Sequence, residues 1–271
     1  MNKTVITAEK RTLVETLRSI YQYKDLFRML AWRDIQVRYA QTYLGLAWAI
    51  INPLFTLLVL TFVFGVVSKV DTAEIPHVVF TIAGMCCWVP FATLTNESGK
   101  AIVAAKVIIS KIYFPRILIP LSKILLSLVD AAIVFFFLLC LLLFHQVPIS
   151  YALLLAPLFI FCALACGLAT GLWVSALSVR FRDFIHISPI ILRIGIFLTP
   201  IAYPAAKIPQ AFLPFYFLNP MAGITEAFRW AVFGSEWPGN HAFLSFAILI
   251  LLFWSGLRYF NKVESEMADY S

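Results

Sequence analysis

The sequence predicts an all-α polytopic membrane protein with six transmembrane helices, and three observations carry that reading. Of 271 residues, 62% are hydrophobic and 13% charged, against about 45–50% and about 25% in an ordinary globular chain. Apolar windows of about 20 residues, enough to cross a hydrocarbon core of about 30 Å, recur six times in a chain of mean hydropathy +0.89. The Lys and Arg residues are also divided very unevenly between alternate loops.

The expected spans are 44–67, 78–94, 119–144, 152–179, 187–203 and 242–260. Residues 1–43 precede them and a polar tail, 261–271, follows. The polar pair Asn96 and Glu97 closes the second span, and the short loop His145 to Ser150 joins the third to the fourth. Residues 213–233 are apolar but broken by Pro, Gly and Glu, which suits an outer re-entrant hairpin (205–233) better than a seventh crossing. Non-helical backbone at membrane depth survives only where it is packed in protein or lines water.

The charges favour the same count. With both termini inside, the inner segments and adjoining span ends hold 18 of the 21 Lys and Arg residues: eight within residues 1–43, five between Lys100 and Lys123, then Arg180, Arg182, Arg193, Arg258 and Lys262. Lys69, Lys207 and Arg229 make the 3 outside. Cytosolic loops collect Lys and Arg, and a seventh span would move Arg258 and Lys262 to the wrong side. The net charge of +7 is therefore read as topology, not as affinity for nucleic acid.

Several chemistries are excluded. The cytosolic pieces after residue 43 are roughly 24, 8 and 11 residues long, below the usual domain minimum of about 50, so no enzyme domain fits in them. A phosphate-cradling loop needs Gly-x4-Gly-Lys-Ser/Thr. The only Gly-Lys pair, Gly99-Lys100, is followed by Ala101 and has Leu94 where the first Gly would stand. The five cysteines (Cys86, Cys87, Cys140, Cys162, Cys166) all fall in apolar spans and imply no disulfide framework. Cys162 and Cys166 share a helix face, but no Met or His cluster accompanies them to complete a metal site, and no secretory leader is expected in residues 1–43.

Two cytosolic pieces have the pattern of contact elements. From Lys100 to Ile112, Ile102, Ala105, Ile108, Ile109 and Ile112 recur at helical spacing while Lys100, Lys106, Ser110 and Lys111 take the other face. That is a basic amphipathic helix, fit to lie on headgroups or to dock a cytosolic partner. In residues 24–41, Phe27, Leu30, Ala31 and Ile35 share a face in which Asp34 and Arg38 stand at i, i+4, where they are expected to pair. Within the spans, Lys123 is expected to snorkel to the inner surface. Asp130 lies two turns deeper and needs either donors from other helices or a role as a proton carrier. Glu226 and Arg229 are expected to neutralise each other, and Gly167 with Gly171 forms a GxxxG that permits close helix approach.

The runs LAWRDIQVRYAQTYLGLAWAIINPLF (30–55), KIYFPRILIPLSK (111–123), GLATGLWVSALSVRFRDF (167–184), TPIAYP (199–204) and NPMAGITEAFRWAVFG (219–234) resemble, in order and spacing, the blocks of the ABC-2 type permeases. The likeness is greatest to the branch that exports O antigens, capsular polymers and teichoic acids. It implies a homodimer in the bacterial cytoplasmic (inner) membrane, docked on two cytosolic ATPase subunits that bind ATP and Mg, with no cofactor in this chain. It further implies an interface helix at 24–41 holding Arg33, Asp34, Arg38 and Tyr39, a loop into span one with Tyr43, Leu44 and Gly45, and a coupling helix at 100–112. Outer gate helices within 205–233, flanked by Pro204 and including Pro209, Asn219, Pro220, Glu226 and Arg229, follow as well. The resemblance also places spans one and five around the pore.

Aromatic rings offer stacking platforms for the C–H faces of sugars. The candidates on those two spans are Tyr43, Trp48, Phe55, Phe62, Phe197 and Tyr203, and Pro53 and Pro200 are expected to kink them. The reading is thus the membrane subunit of an ATP-driven exporter of a lipid-linked polysaccharide. Export of teichoic acid, a small lipid or a drug by the same kind of permease is the alternative, and a proton-coupled carrier using Asp130 is the alternative of another class.

Overall fold

The computed structural model describes residues 21–40, 47–112 and 114–264. All regular structure among them is helical: α1 (Lys24–Ala40), α2 (Ala47–Leu60, continued as a π-helix over Thr61–Val67), α3 (His77–Ala104), α4 (Lys106–Ile109), α5 (Leu118–Phe144), α6 (Ala156–Arg180), α7 (Phe184–Leu198), α8 (Leu213–Tyr216), α9 (Pro220–Phe233) and α10 (His241–Glu264). Five helices are long and apolar enough to cross a membrane: α2 with its π segment, α3, α5, α6 with the 3-10 turn Tyr151–Leu155 that precedes it, and α10. The expected fifth span is different. α7 has 15 residues, about 22 Å at ~1.5 Å per residue, and ends before Thr199, so Pro200 lies in the turn beyond the helix and kinks nothing.

α3 is the hub. The most apolar part of α3 is 78% buried inside the protein, against 11% for α2. Lipid tails are as apolar as Leu, so helices associate in a bilayer by close approach and hydrogen bonds, and the α3–α6 contact uses both. A Cβ at Gly171 would lie 2.6 Å from the Ser98 Cβ, and one at Gly167 2.8 Å from the Phe91 carbonyl oxygen. The GxxxG is thereby spent within the chain. Beside it the Thr95 and Thr170 hydroxyls are 2.7 Å apart, and Ser98 Oγ donates to the Pro120 carbonyl at 3.0 Å, tying in the start of α5.

The second span does not close at Asn96 and Glu97 as the polar pair suggested. Glu97 is neutralised by Lys100 at 2.8 Å, i to i+3, and Ser98 and Gly99 are buried against neighbouring helices, so the helix continues to Ala104. The expected separate helix from Lys100 is therefore the last turn of α3, a break at Ala105, and the four residues of α4. Similarly α10 runs to Glu264, into what composition marked as tail. There Glu264 accepts from the Arg116 backbone N–H at 2.8 Å and, through its carbonyl, from Arg116 Nη1 at 2.6 Å. At the opposite end of α5, the Ser150 N–H donates to the Val232 carbonyl at 3.2 Å, which sets the end of α9 beside the α5–α6 loop.

Gly171→Ala should lower the melting temperature of the detergent-purified protein by several degrees, from an overpacking cost of about 1–3 kcal/mol. Leu143→Ala, on an exposed face of α5, should leave the melting curve nearly unchanged in the same thermal-shift measurement.

Candidate functional site

Two places in the bundle gather polar groups. At the first, α1 lies along the beginning of α5 with Leu30 and Ala31 buried. Asp34 and Arg38 do not pair with each other as their spacing suggested, because α5 offers each a better partner. Lys123 Nζ donates to Asp34 at 2.6 Å, with both side chains about nine-tenths buried. The expected snorkelling of Lys123 is replaced by this ion pair, and Ser122 Oγ adds a bond to the same carboxylate at 3.2 Å. Arg33 meets the other Asp34 oxygen at 2.9 Å.

One turn on, the Asp130 carboxylate accepts three hydrogen bonds: from Arg38 Nη1 at 3.1 Å, from the Tyr39 hydroxyl at 3.3 Å and from Thr93 Oγ1 of α3 at 2.8 Å. Burial, and then the Asp130 charge, push the Tyr39 phenol above its ordinary value, so it stays a donor. Asp130 thus meets the first of its two expected fates: three donors from two other helices satisfy it. The signs alternate, with Asp34 to Lys123 and Arg38 to Asp130, and the more exposed Arg33 leaves the contact with three cations to two carboxylates. Tyr43, Leu44 and Gly45 lie outside the described residues.

The next piece along this face is α4. Ile108 and Ile109 pack against the core formed by α1, α3, α5, α6 and α10, whereas Lys106, Ser110 and Lys111 are exposed. Ile112, expected on the buried side, is exposed, and Lys100 is held by Glu97.

At the second place, residues 199–205 after α7 are fastened at almost every position. Thr199 Oγ1 accepts from Asn219 Nδ2 at 2.9 Å, and the Ile201 carbonyl accepts from Arg229 Nη2. The Ala202 carbonyl lies 2.9 Å from His77 Nε2, which must carry the proton there, leaving Nδ1 to accept from Thr81 at 3.2 Å. Tyr203 OH donates to the Phe197 carbonyl at 2.9 Å and accepts from Tyr216 OH at 3.0 Å. The Ala205 N–H donates to Glu226 at 2.8 Å.

Arg229 completes the set. Its guanidinium is buried, 3.2 Å from Glu226 as its spacing suggested and 3.7 Å from the centroid of the Phe80 ring. Room for it comes from Gly84, where a Cβ would lie 2.8 Å from Nη2 and from the Ile201 backbone.

The residues 205–233 divide unequally. Two 3-10 turns (Ala205–Lys207 and Gln210–Phe212) and the single turn α8 stand where a first short helix was expected, with Pro204 and Pro209 immediately before the two turns. α9 is a complete helix: Asn219 caps it by accepting from the Met221 N–H at 3.0 Å, Pro220 opens it, and Gly234 ends it in the left-handed conformation, φ 67°. Between α7, α3 and this segment is an apolar cavity of about 730 Å³ whose walls include Trp88, Phe91, Tyr203, Phe212 and Tyr216.

The aromatic candidates are dispersed. Trp48, Phe55 and Phe62 recur every seven residues and form one exposed stripe on α2, and Phe197 is exposed on α7. Phe64, which sequence reasoning passed over, joins the two helices, with centroids 6.4 Å from Phe197 and 6.0 Å from Tyr203. The signal was present, since Phe64 stands two residues from Phe62 in the same span. The π segment over Thr61–Val67 shifts the helical phase there, and an ideal helical wheel cannot anticipate that.

Breaking the better-buried pair should be the costlier change. Lys123→Met should destabilise the protein by about 1–3 kcal/mol, because Asp34 loses its buried cation but keeps Arg33 and Ser122, and adding Asp34→Leu should recover most of that loss, read as thermal unfolding in detergent.

Comparison with known proteins identifies the family. Residues 25–233, from the start of α1 to the last residue of α9, match the ABC-2 type transporter family. An O-antigen export system permease protein, RfbA, from Myxococcus xanthus is 26% identical over 261 residues, covering 95% of this chain and 99% of that one. An RfbA of Klebsiella pneumoniae is 27% identical over 251 residues, 90% and 94% of the two chains. The polysialic acid transport protein KpsM of Escherichia coli is 25% identical over 251 residues, 87% and 92% of the two.

Proposed function

Because the chain belongs to the ABC-2 type transporter family, we propose that it is the membrane-spanning subunit of an ATP-driven exporter and that two copies form the conduit for a lipid-linked polysaccharide of O-antigen type. The observation that carries this reading is the end-to-end similarity to permeases named for O-antigen export, 95% of this chain against 99% of the Myxococcus relative. ATP and Mg are bound by two partner ATPase subunits. The chain sits in the bacterial cytoplasmic membrane, with six crossings and both termini cytosolic. α7 together with Thr199–Tyr203 makes the fifth crossing, and the segment 205–233 is the outer gate.

Each region then has a physical task. α4 offers Lys106, Ser110 and Lys111 to the ATPase on a turn held to the bundle by Ile108 and Ile109. α1 lies at the inner membrane surface and takes up motion of the docked subunit, and its ion pairs to Lys123 and Asp130 pass that motion to α5. The exposed faces of α2 and α7 meet their counterparts in the second copy around the conduit, where Trp48, Phe55, Phe62 and Phe197 give stacking surfaces to a sliding glycan. Such surfaces tolerate many sugars, because ring stacking reads a C–H face and not a hydroxyl pattern.

Lys106→Glu with Lys111→Glu should weaken co-purification with the ATPase by about tenfold or more, the size expected when two rim charges turn from attraction to repulsion. A complex that survives the double reversal intact would count against this docking site and against the reading built on it.

A further inference from the structure

The exposed face of α7 carries a cation that nothing else described in the chain neutralises. α7 leans on the bundle through Ser188, which is buried, Leu192, which packs on the core, and Gly195, where a Cβ would lie 2.9 Å from the Trp88 ring. The opposite face, at i, i+4, i+7 and i+11, is His186, Ile190, Arg193 and Phe197, all exposed. Arg193 is nine residues beyond Phe184 and five short of Leu198, roughly 14 Å and 8 Å along the axis at ~1.5 Å per residue. Exposed Ile187, Ile190, Ile191 and Ile194 surround it.

Other cations near the apolar bundle are accounted for within the chain. Lys123 and Arg33 share Asp34, Arg38 has Asp130, Arg229 has Glu226, and Arg258 lies 3.5 Å over the Trp254 ring. Among the described residues no carboxylate pairs with Arg193, and Asp183 stands ten residues away. An arginine inside an apolar helix is costly and marks a ligand path by default. Its planar fork matches two oxygens of one phosphate, and the apolar residues beside it match hydrocarbon.

We propose that Arg193 binds the phosphate or pyrophosphate ester that joins a glycan to its lipid carrier, with His186 offering a second N–H two turns nearer the start of α7. This rests on the exporter reading and sharpens it. Ring stacking is indifferent to sugar identity, so the charged ester is the feature common to every substrate that a fixed residue can grip.

The test uses the full chain with its ATPase partner in phosphatidylcholine nanodiscs and compares radiolabelled geranylgeranyl pyrophosphate with geranylgeraniol. The wild type should bind the pyrophosphate at least about tenfold more tightly than the alcohol, as losing a charge-assisted hydrogen bond would require. Arg193→Gln should abolish that preference while leaving the alcohol's binding alone, Arg193→Lys should keep part of it, and Ile190→Arg added to Arg193→Gln should restore part of it.

A preference that persists in Arg193→Gln overturns the proposal. So does displacement of the probe by an excess of phosphatidylglycerol, which would make Arg193 a contact for membrane headgroups. Should Arg193→Gln fail to assemble, the wild-type comparison decides alone, and equal binding of the two probes is the overturning result. None of these outcomes moves ATPase docking, so a failure here is distinct from a failure of the exporter reading.

Discussion

Charges taken out of water must be matched, and the matching of Asp34 and Arg38 on α1 by Lys123 and Asp130 on α5 is the constraint on which this end of the bundle depends. A single pair would hold α1 at a point. Two pairs of alternating sign hold it in register, because sliding α1 along α5 by one turn would bring like charges together. Thr93 extends the same network to α3, the helix against which most others pack, so the orientation of α1 is fixed relative to the core and not merely to the membrane surface.

The other end of the bundle depends on a corresponding device built differently. There a single buried guanidinium, with Glu226, His77, Asn219 and Tyr216 around it, fastens the turn after α7 to α3 and α9. Donors reach Thr199, Ile201, Ala202 and Tyr203, and the Ala205 N–H reaches Glu226, so the end of α7 is fastened to α3, α8 and α9. Between these two fixed regions α2 and α7 present wide apolar faces with little protein against them. The two-copy conduit we propose would need both properties: rigid attachment at each end and uncommitted surface between them.

Much of this was legible in the sequence, and the reasons differ by element. The apolar windows of α2, α5, α6 and α10 follow from length and composition alone. Asn219 and Pro220 at the start of α9 were reached only through the family resemblance, whereas the Glu226–Arg229 pair is local and was read from spacing. The errors came from partners distant in sequence. Lys123 was assigned to the membrane surface and Arg38 to Asp34 because spacing along one helix says nothing of a carboxylate 89 or 92 residues away. The second span was ended at Asn96 and Glu97 because the pattern of polar residues cannot show that Ser98 and Gly99 are buried against neighbouring helices. The fifth window looked long enough to cross, but its last residues are drawn into the hydrogen bonds of the hairpin and leave the helix. Phe64 and Arg193 acquire meaning only when the faces of α2 and α7 are known.

The central claim is that this chain is a passage whose energy is supplied by another chain. Accumulation of a radiolabelled lipid-linked glycan in inverted membrane vesicles that hold the chain and its ATPase measures it directly. Uptake should require hydrolysable ATP, and should fall to background with a non-hydrolysable analogue or with an imposed proton gradient as the only driving force. Gradient-driven uptake in vesicles without the ATPase would contradict the account and restore Asp130 as a proton carrier.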